Sequence, residues 1–378
     1  MHIAFNGDSI LSPLTGVGQY AKSLLQNLDA RADVNVHKFY GVRWSDEIHS
    51  SIMSASSKSF KPLIRKYVPC AYEIKRHLEQ WCFNSGLKSI KPDVYHEPNF
   101  LAFSFDGPSV ITVHDLSWLR YPEMHPVGRV RTFNKYFEKG LRRASRIITD
   151  SAFVKNELID VFGVNPKIIH PVYLGVDDLF VPRGASDTAS VLSELSLSHG
   201  QYFLAVGTLE PRKNLGLVLD AYASLPSSLR DQFPLVIVGM KGWNTADLER
   251  KLGAMVASGH VRKLGYLSRD DLAVVMAGAT AMVYPSVYEG FGLPPLEAMS
   301  SAVPVIATNV SSIPEVVGDS GLLIDPADVD GLVECMIRLG EDDMLRTALA
   351  NKALARSMQF SWDRCADQTV AVYRAAVA

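Results

Sequence analysis

The sequence predicts an α/β protein made of two Rossmann-like parallel-sheet domains facing a deep cleft. Short apolar runs alternate with longer helical patterns over most of the 378 residues, the pattern of strand–helix–strand units that build a parallel sheet. A chain of that length exceeds what one core usually organises. The strand series also begins twice, near residue 2 and again near residue 202.

In the first half, residues 2–5, 34–39, 93–96, 110–114 and 146–150 read as strands, with helices over 19–28 and about 129–144. The second series runs strand 202–207, helix 214–224, strand 235–239, helix 246–258, strand 261–264, helix 269–278, then strands 279–284 and 304–307. The expected domains are 1–180 and 200–360, joined between Pro171 and Gly200, where residues 181–187 (VPRGASD) look like a linker. At the C-terminus, Trp362, Ala366, Val370, Tyr373 and Val377 share one helical face. Periodicity alone fits packing on either domain equally well.

Composition excludes several classes. With 47% hydrophobic and 21% charged residues and a net charge of −2, nothing recruits nucleic acid through a global field. Cys70, Cys82, Cys335 and Cys365 are scattered, which argues against a zinc site or a disulfide framework and fits a reducing cytoplasm. No leader and no run of eighteen apolar residues is visible, so membrane contact is expected to be peripheral.

The stretch EGFGLPPLE sets Glu289 and Glu297 eight positions apart, after an apolar strand and across a helix start. Pro294 and Pro295 suit a first helical turn, while Gly290 and Gly292 allow a sharp turn close to a ligand. A loop of exposed N–H groups leading into a helix N-terminus attracts phosphate, and two carboxylates there accept hydrogen bonds from hydroxyls. An ordinary turn with a capping glutamate is the plain alternative. Gly16 and Gly18, in TGVGQY, open the first helix and would bring N–H groups to a diphosphate, although the full G-x-G-x-x-G pattern is missing. In GTLEPRKNL, from Gly207, the pair Arg212 and Lys213 precedes a helix at a strand's carboxyl end. Cations are poorly placed at that dipole end without an anion, and neighbouring ones can neutralise a diphosphate leaving group. His114 and Asp115 end the strand VITVH, with Asp115 read as orienting its loop. The segment from Lys58 to Arg76 carries six cations against Glu73, with interleaved apolar residues, a candidate for an anionic membrane surface or simply a solvated basic face. The one Asp-x-Asp, Asp328 and Asp330, reads as a helix cap, so no metal is expected.

Together these segments resemble the retaining, nucleotide-sugar-dependent glycosyltransferases of the GT-B fold, family-4 group. The resemblance implies a hexose transferred from a nucleoside diphosphate sugar without metal or other cofactor, with Glu289 and His114 on the sugar, Glu297 on the ribose, and Arg212 and Lys213 clamping the diphosphate. Phe291, Gly292, Leu293 and Gly207 belong to the same substrate-binding loops. The base is expected near Val238, Gly239 and Gly265-Tyr266-Leu267. HDLSWLRYPE and GTLEPRKN resemble bacterial mannosyl- and rhamnosyltransferases of O-antigen or exopolysaccharide assembly, implying GDP-mannose or a GDP-deoxyhexose such as GDP-rhamnose and a lipid-linked glycan acceptor on the N-terminal domain, onto which the last helix crosses back. A UDP-sugar donor, or an inactive sugar-nucleotide-binding protein, are the alternatives.

Overall fold

Strands buried on both faces cannot lie at a surface, and the sequence supplies, among the described residues, ten short strand segments of four or five residues, five of them buried throughout. In the computed structural model, which describes residues 1–11, 14–49, 71–257 and 259–378, they organise two sheets. The first contains β1 (His2–Asn6), β2 (Asn35–Phe39), β3 (Trp44–Ser45), β4 (Val94–Glu97), β5 (Ser109–Val113), β6 (Arg146–Thr149) and β7 (Ile169–Pro171), in the order β3-β2-β1-β4-β5-β6-β7. All its pairings are parallel except the short antiparallel edge β2–β3. The second contains β8 (Phe203–Val206), β9 (Leu235–Val238), β10 (Val261–Gly265), β11 (Ala281–Tyr284), β12 (Val305–Thr308) and β13 (Leu322–Ile324), all parallel, ordered β10-β9-β8-β11-β12-β13. Every residue of β5, β9, β11 and β12 is buried, as expected where helices cover both faces of a parallel sheet. In both sheets the chain order reverses beside the first strand, and ligands bind at the carboxyl edge of such switch points.

The helix Trp362–Val377 begins at Ser361, whose hydroxyl accepts from the Arg364 N–H. It returns to the first sheet, where Trp362, Cys365, Ala366, Val370 and Tyr373 pack with Ile3, Phe5, Tyr20 and Val94. Tyr373 also meets His96 Nδ1 at 2.6 Å. Val377, expected on the same face, is exposed because the helix runs past the core there.

The last three residues of the expected linker are already helical. Asp187 accepts from the Gly184 N–H at 2.9 Å and starts the helix Ala185–Glu194. Its Leu192 joins Phe180, Leu197 and Tyr202 in the core of the second sheet, so tertiary packing overrides the turn-rich composition. The basic segment falls mostly on residues 50–70, outside the described residues. Of its described cations, Lys75 pairs with Glu79 at 2.8 Å on the helix Ala71–Ile90. Arg76 turns inward, donating to the carbonyls of Leu101 and Ala102 and lying over the Phe103 and Tyr136 rings, which removes it from any surface role.

Candidate active site between the two sheets

After β8 the chain passes Gly207, at φ +152, and a 3-10 turn over Pro211–Lys213, then reverses at Asn214, φ +54, into the helix Leu215–Ser224. This turn aims Arg212 and Lys213 at the loop following β11. Arg212 donates from Nη1 to Glu289 Oε2 (2.9 Å) and the Tyr288 carbonyl (2.7 Å), and from Nη2 to Glu210 Oε1 (2.7 Å). Lys213 Nζ donates to Glu289 Oε1 (2.6 Å) and to Tyr284 (2.7 Å), whose hydroxyl donates to the same Oε1 at 2.8 Å.

Burial would raise the Glu289 pKa, but Arg212 and then Lys213 outweigh it and hold the carboxylate down to about 2. For Arg212, burial opposes the charge and is overcome by Glu289 and Glu210, so its pKa rises. Burial prevails at Lys213, which is pulled down although Glu289 attracts it. Two cations and two carboxylates are thus balanced in a buried site, and an entering diphosphate would compete with the carboxylates for the same donors.

The EGFG loop is built as its sequence suggests. Gly292, at φ +118, precedes the helix Leu293–Ser300, with prolines in its first turn. A Cβ on Gly290 would lie 1.7 Å from the His114 carbonyl oxygen, so only glycine lets this loop touch the other domain. Ser312 Oγ donates to the carbonyls of both Glu289 and Phe291 (2.9 Å each), and Ser311 Oγ accepts from the Glu289 N–H. Glu297, one turn into the helix, accepts from Arg269 Nη1 at 2.7 Å, and burial raises its pKa against that pairing. Arg269 also faces Asp177 at 3.6 Å, and Asp177 accepts from Gln19 at 3.4 Å. The helix start at Gly16 and Gly18 is thereby tied to the Glu297 side of the cleft. Gly18 is required, since a Cβ would meet the Ser9 carbonyl at 2.9 Å; Gly16 is open, with nothing within 4 Å.

His114, expected on the transferred sugar, has both ring nitrogens engaged. Nδ1 meets Asp150 Oδ2 and Nε2 meets the Pro98 carbonyl, both at 2.7 Å. Two acceptors on one ring favour imidazolium. Burial opposes that charge and Asp150 restores it, leaving the pKa raised. What His114 offers the cleft is its carbonyl face, against Gly290. Asp115 accepts from the Ser117 N–H (2.9 Å) and hydroxyl (2.8 Å), which fixes the loop. Gly207 and Gly239 follow β8 and β9, and Gly265 ends β10 ahead of Tyr266 and Leu267, at one carboxyl edge. A Cβ on Gly239 would sit 1.8 Å from the Gly207 carbonyl, and Tyr266 is exposed. Asp328 caps the helix Val329–Glu341 through the Gly331 N–H at 2.8 Å.

Sequence reasoning missed the residues that join the two halves. Glu315 accepts from the Ala152 (2.8 Å) and Phe153 (2.6 Å) N–H groups at the start of the helix Ala152–Phe162, and from Tyr173 at 3.0 Å. Tyr288 accepts from the Leu116 N–H (2.9 Å) and donates to Glu157. Trp243 donates to the Met124 carbonyl at 2.6 Å. None stands in a pattern readable along one element, because each acts across the cleft.

Comparisons with known proteins agree over the whole length. The profile of Glycosyltransferase Family 4 matches residues 14–178 and that of Glycosyl transferases group 1 matches residues 194–356. The chain is 36% identical over 379 residues to O-antigen chain mannosyltransferase B of Escherichia coli, covering 99% of this chain and 100% of that protein. It is 26% identical to the serotype-specific mannosyltransferase WbdA of Escherichia coli, over 96% of this chain but only 46% of that longer one. The fold resembles sucrose-phosphate synthase from Thermosynechococcus elongatus, with a TM-score of 0.77 at 22% identity and coverage of 99% and 98%.

Proposed function

The chain belongs to the GT-B glycosyltransferases of group 1 and family 4, and we propose that within this family it transfers mannose from GDP-mannose, with retention, to a lipid-linked or growing polysaccharide. A GDP-deoxyhexose such as GDP-rhamnose is the nearest variant of that donor. The carrying observation is the Arg212–Lys213–Glu289 cluster between the carboxyl edges of two parallel sheets. The mannose assignment draws support from the relatives, which are named as mannosyltransferases.

On this reading the diphosphate displaces carboxylate from Arg212 and Lys213, and these cations stabilise the leaving group without a resident metal. Glu289 binds sugar hydroxyls instead of attacking carbon. A carboxylate held near pKa 2 by three donors is a weak nucleophile, which favours same-face attack with the departing phosphate taking the acceptor's proton. Glu297 receives the ribose, the base lies against Gly239, Tyr266 and Leu267, and the N-terminal domain holds the acceptor.

No helix among the described residues is long and apolar enough to cross a membrane. We place the enzyme on the cytoplasmic side, in peripheral contact with anionic lipid. The helix Ala71–Ile90 supports this: Ile74, Leu78 and Trp81, at i, i+4 and i+7, are 61, 53 and 68% exposed, and the basic residues 58–66 precede it. Replacing all three apolar residues by serine should abolish anionic-vesicle binding and spare transfer to a soluble acceptor; unchanged vesicle binding would refute the contact. For the donor, thermal-shift titration with GDP, UDP and ADP is decisive, since ligand at 100 times its dissociation constant adds about 2.7 kcal/mol. GDP is expected to stabilise, and stabilisation by UDP alone would overturn the assignment.

A further inference from the structure

His125 is 5% exposed, yet neither ring nitrogen has a hydrogen-bond partner. Buried polar atoms are normally paired, and leaving them unpaired costs stability. Two neighbouring donors share the condition: the Nε–H groups of Arg129 and Arg212 are also buried and unpaired. A tryptophan from the C-terminal domain packs over two of the three groups, His125 and Arg129. Trp243 lies 5.9 Å from the His125 ring, donates to the carbonyl of the preceding residue, Met124, and receives the Arg129 guanidinium over its face at 5.8 Å. The charges acting on the ring are those of Arg129, Asp115, Arg212 and Glu123, and burial with Arg129 pushes its pKa down to about 4.

We infer that His125 is a further substrate-contacting residue, which with the Nε–H groups of Arg129 and Arg212 receives the hydroxyls of the acceptor sugar when the Trp243 loop lifts. This rests on the glycan-acceptor reading above. An uncharged imidazole presents one donor and one acceptor, which suits hydroxyls that both give and take hydrogen bonds; a phosphate would leave the bare nitrogen without a donor. The acceptor is favoured over the donor because two of the three groups stand on the N-terminal domain. The Nη groups of Arg212 already face Glu289, Tyr288 and Glu210, so its Nε edge borders a different space.

The test uses the full chain with GDP-mannose and octyl α-mannoside, comparing His125→Ala, His125→Gln and His125→Phe. Loss of one such contact should raise the octyl mannoside KM about tenfold in the alanine and phenylalanine variants. Glutamine, with a donor and an acceptor, should recover part of it. The KM for GDP-mannose should stay within about twofold, and Tm should hold in the glutamine and phenylalanine variants, which refill the ring's space, while the alanine variant leaves a small cavity and falls only modestly. The effect on acceptor KM should be level between pH 6 and 8. An unchanged acceptor KM, an equal rise in donor KM, or a loss that tracks a lower Tm in all three variants would overturn the inference. So would acceptor binding that strengthens as pH falls, which would mark an anion site. If the wild-type enzyme ignores octyl mannoside but turns over GDP-mannose, the acceptor reading fails, and this inference with it.

Discussion

Replacing Glu289 by glutamine separates its two duties, since the side chain keeps its shape and loses its charge. In the folded protein its pKa stands near 2 against an ordinary 4.5, a gap of roughly 2.5 units or about 3 kcal/mol at neutral pH. The folded value is the lower one, so this stability is fully present above about pH 4.5 and is lost as pH falls toward 2. The variant leaves Arg212 and Lys213 buried with only Glu210 opposite them, and removing one member of a buried ion cluster is costly. A deficit of about 3 kcal/mol corresponds to a Tm lowered by roughly 6–12 °C for a domain of this size. Transfer activity should fall by about 100-fold or more, the scale of one lost electrostatic contact at the reacting centre. GDP should stabilise the variant more than the wild type, because the diphosphate no longer competes with a carboxylate for the two cations. Differential scanning fluorimetry from pH 4 to 8, with and without GDP, reads all of this except turnover. A variant as stable as wild type at pH 7, or one that responds less to GDP, would refute the charge-balance reasoning. A glycosyl adduct isolated on Glu289 of the wild-type enzyme would refute the proposed role as a sugar-binding group.

Three further outcomes are expected. Gly290→Ala drives a Cβ into the His114 carbonyl, so the loop must withdraw; activity should drop more than about tenfold with a smaller change in GDP affinity, measured by steady-state kinetics and calorimetry. Glu315→Ala strips two N–H groups of a helix start and Tyr173 of their partner; a cost of about 1–2 kcal/mol should shift the domains apart, seen as a larger radius of gyration in solution scattering, and an unchanged radius would count against a latch. Glu97, buried against Asn6, Tyr95 and Asn99, is pushed up to about 7, mainly by burial. The folded state then holds a proton that the unfolded state has lost, so stability falls as pH rises from about 4.5 through 7, and Glu97→Gln should remove a slope of about 3 kcal/mol, measured by chemical unfolding across that range.

What the sequence discloses and what it hides follow one division. Strand and helix periods, the glycine–proline turn of EGFGLPPLE and the paired cations of GTLEPRKNL are local, and local physics sets their conformation; each appears in the structure where the residues put it. The C-terminal helix was legible as an amphipathic face, but its destination depends on which core lacks a cover, something periodicity does not encode. The helix Ala185–Glu194 was hidden by serine, glycine and proline, whose turn preference yields once Leu192 finds a pocket. The paired ring of His114 could not be foreseen, since Asp150 lies just past the next strand and Pro98 on another loop. Glu315, Tyr288 and Trp243 were invisible for the same reason, as the partners they meet across the cleft are 119 to 172 residues away.

The most direct test of the proposed reaction is the configuration of its product. GDP-α-mannose and octyl α-mannoside are incubated with the enzyme, and the new anomeric centre is read by the one-bond carbon–proton coupling in NMR. An α-linked mannosyl product is expected. A β-linkage would contradict retention, and no mannosyl product alongside efficient transfer from a UDP-sugar would contradict the donor.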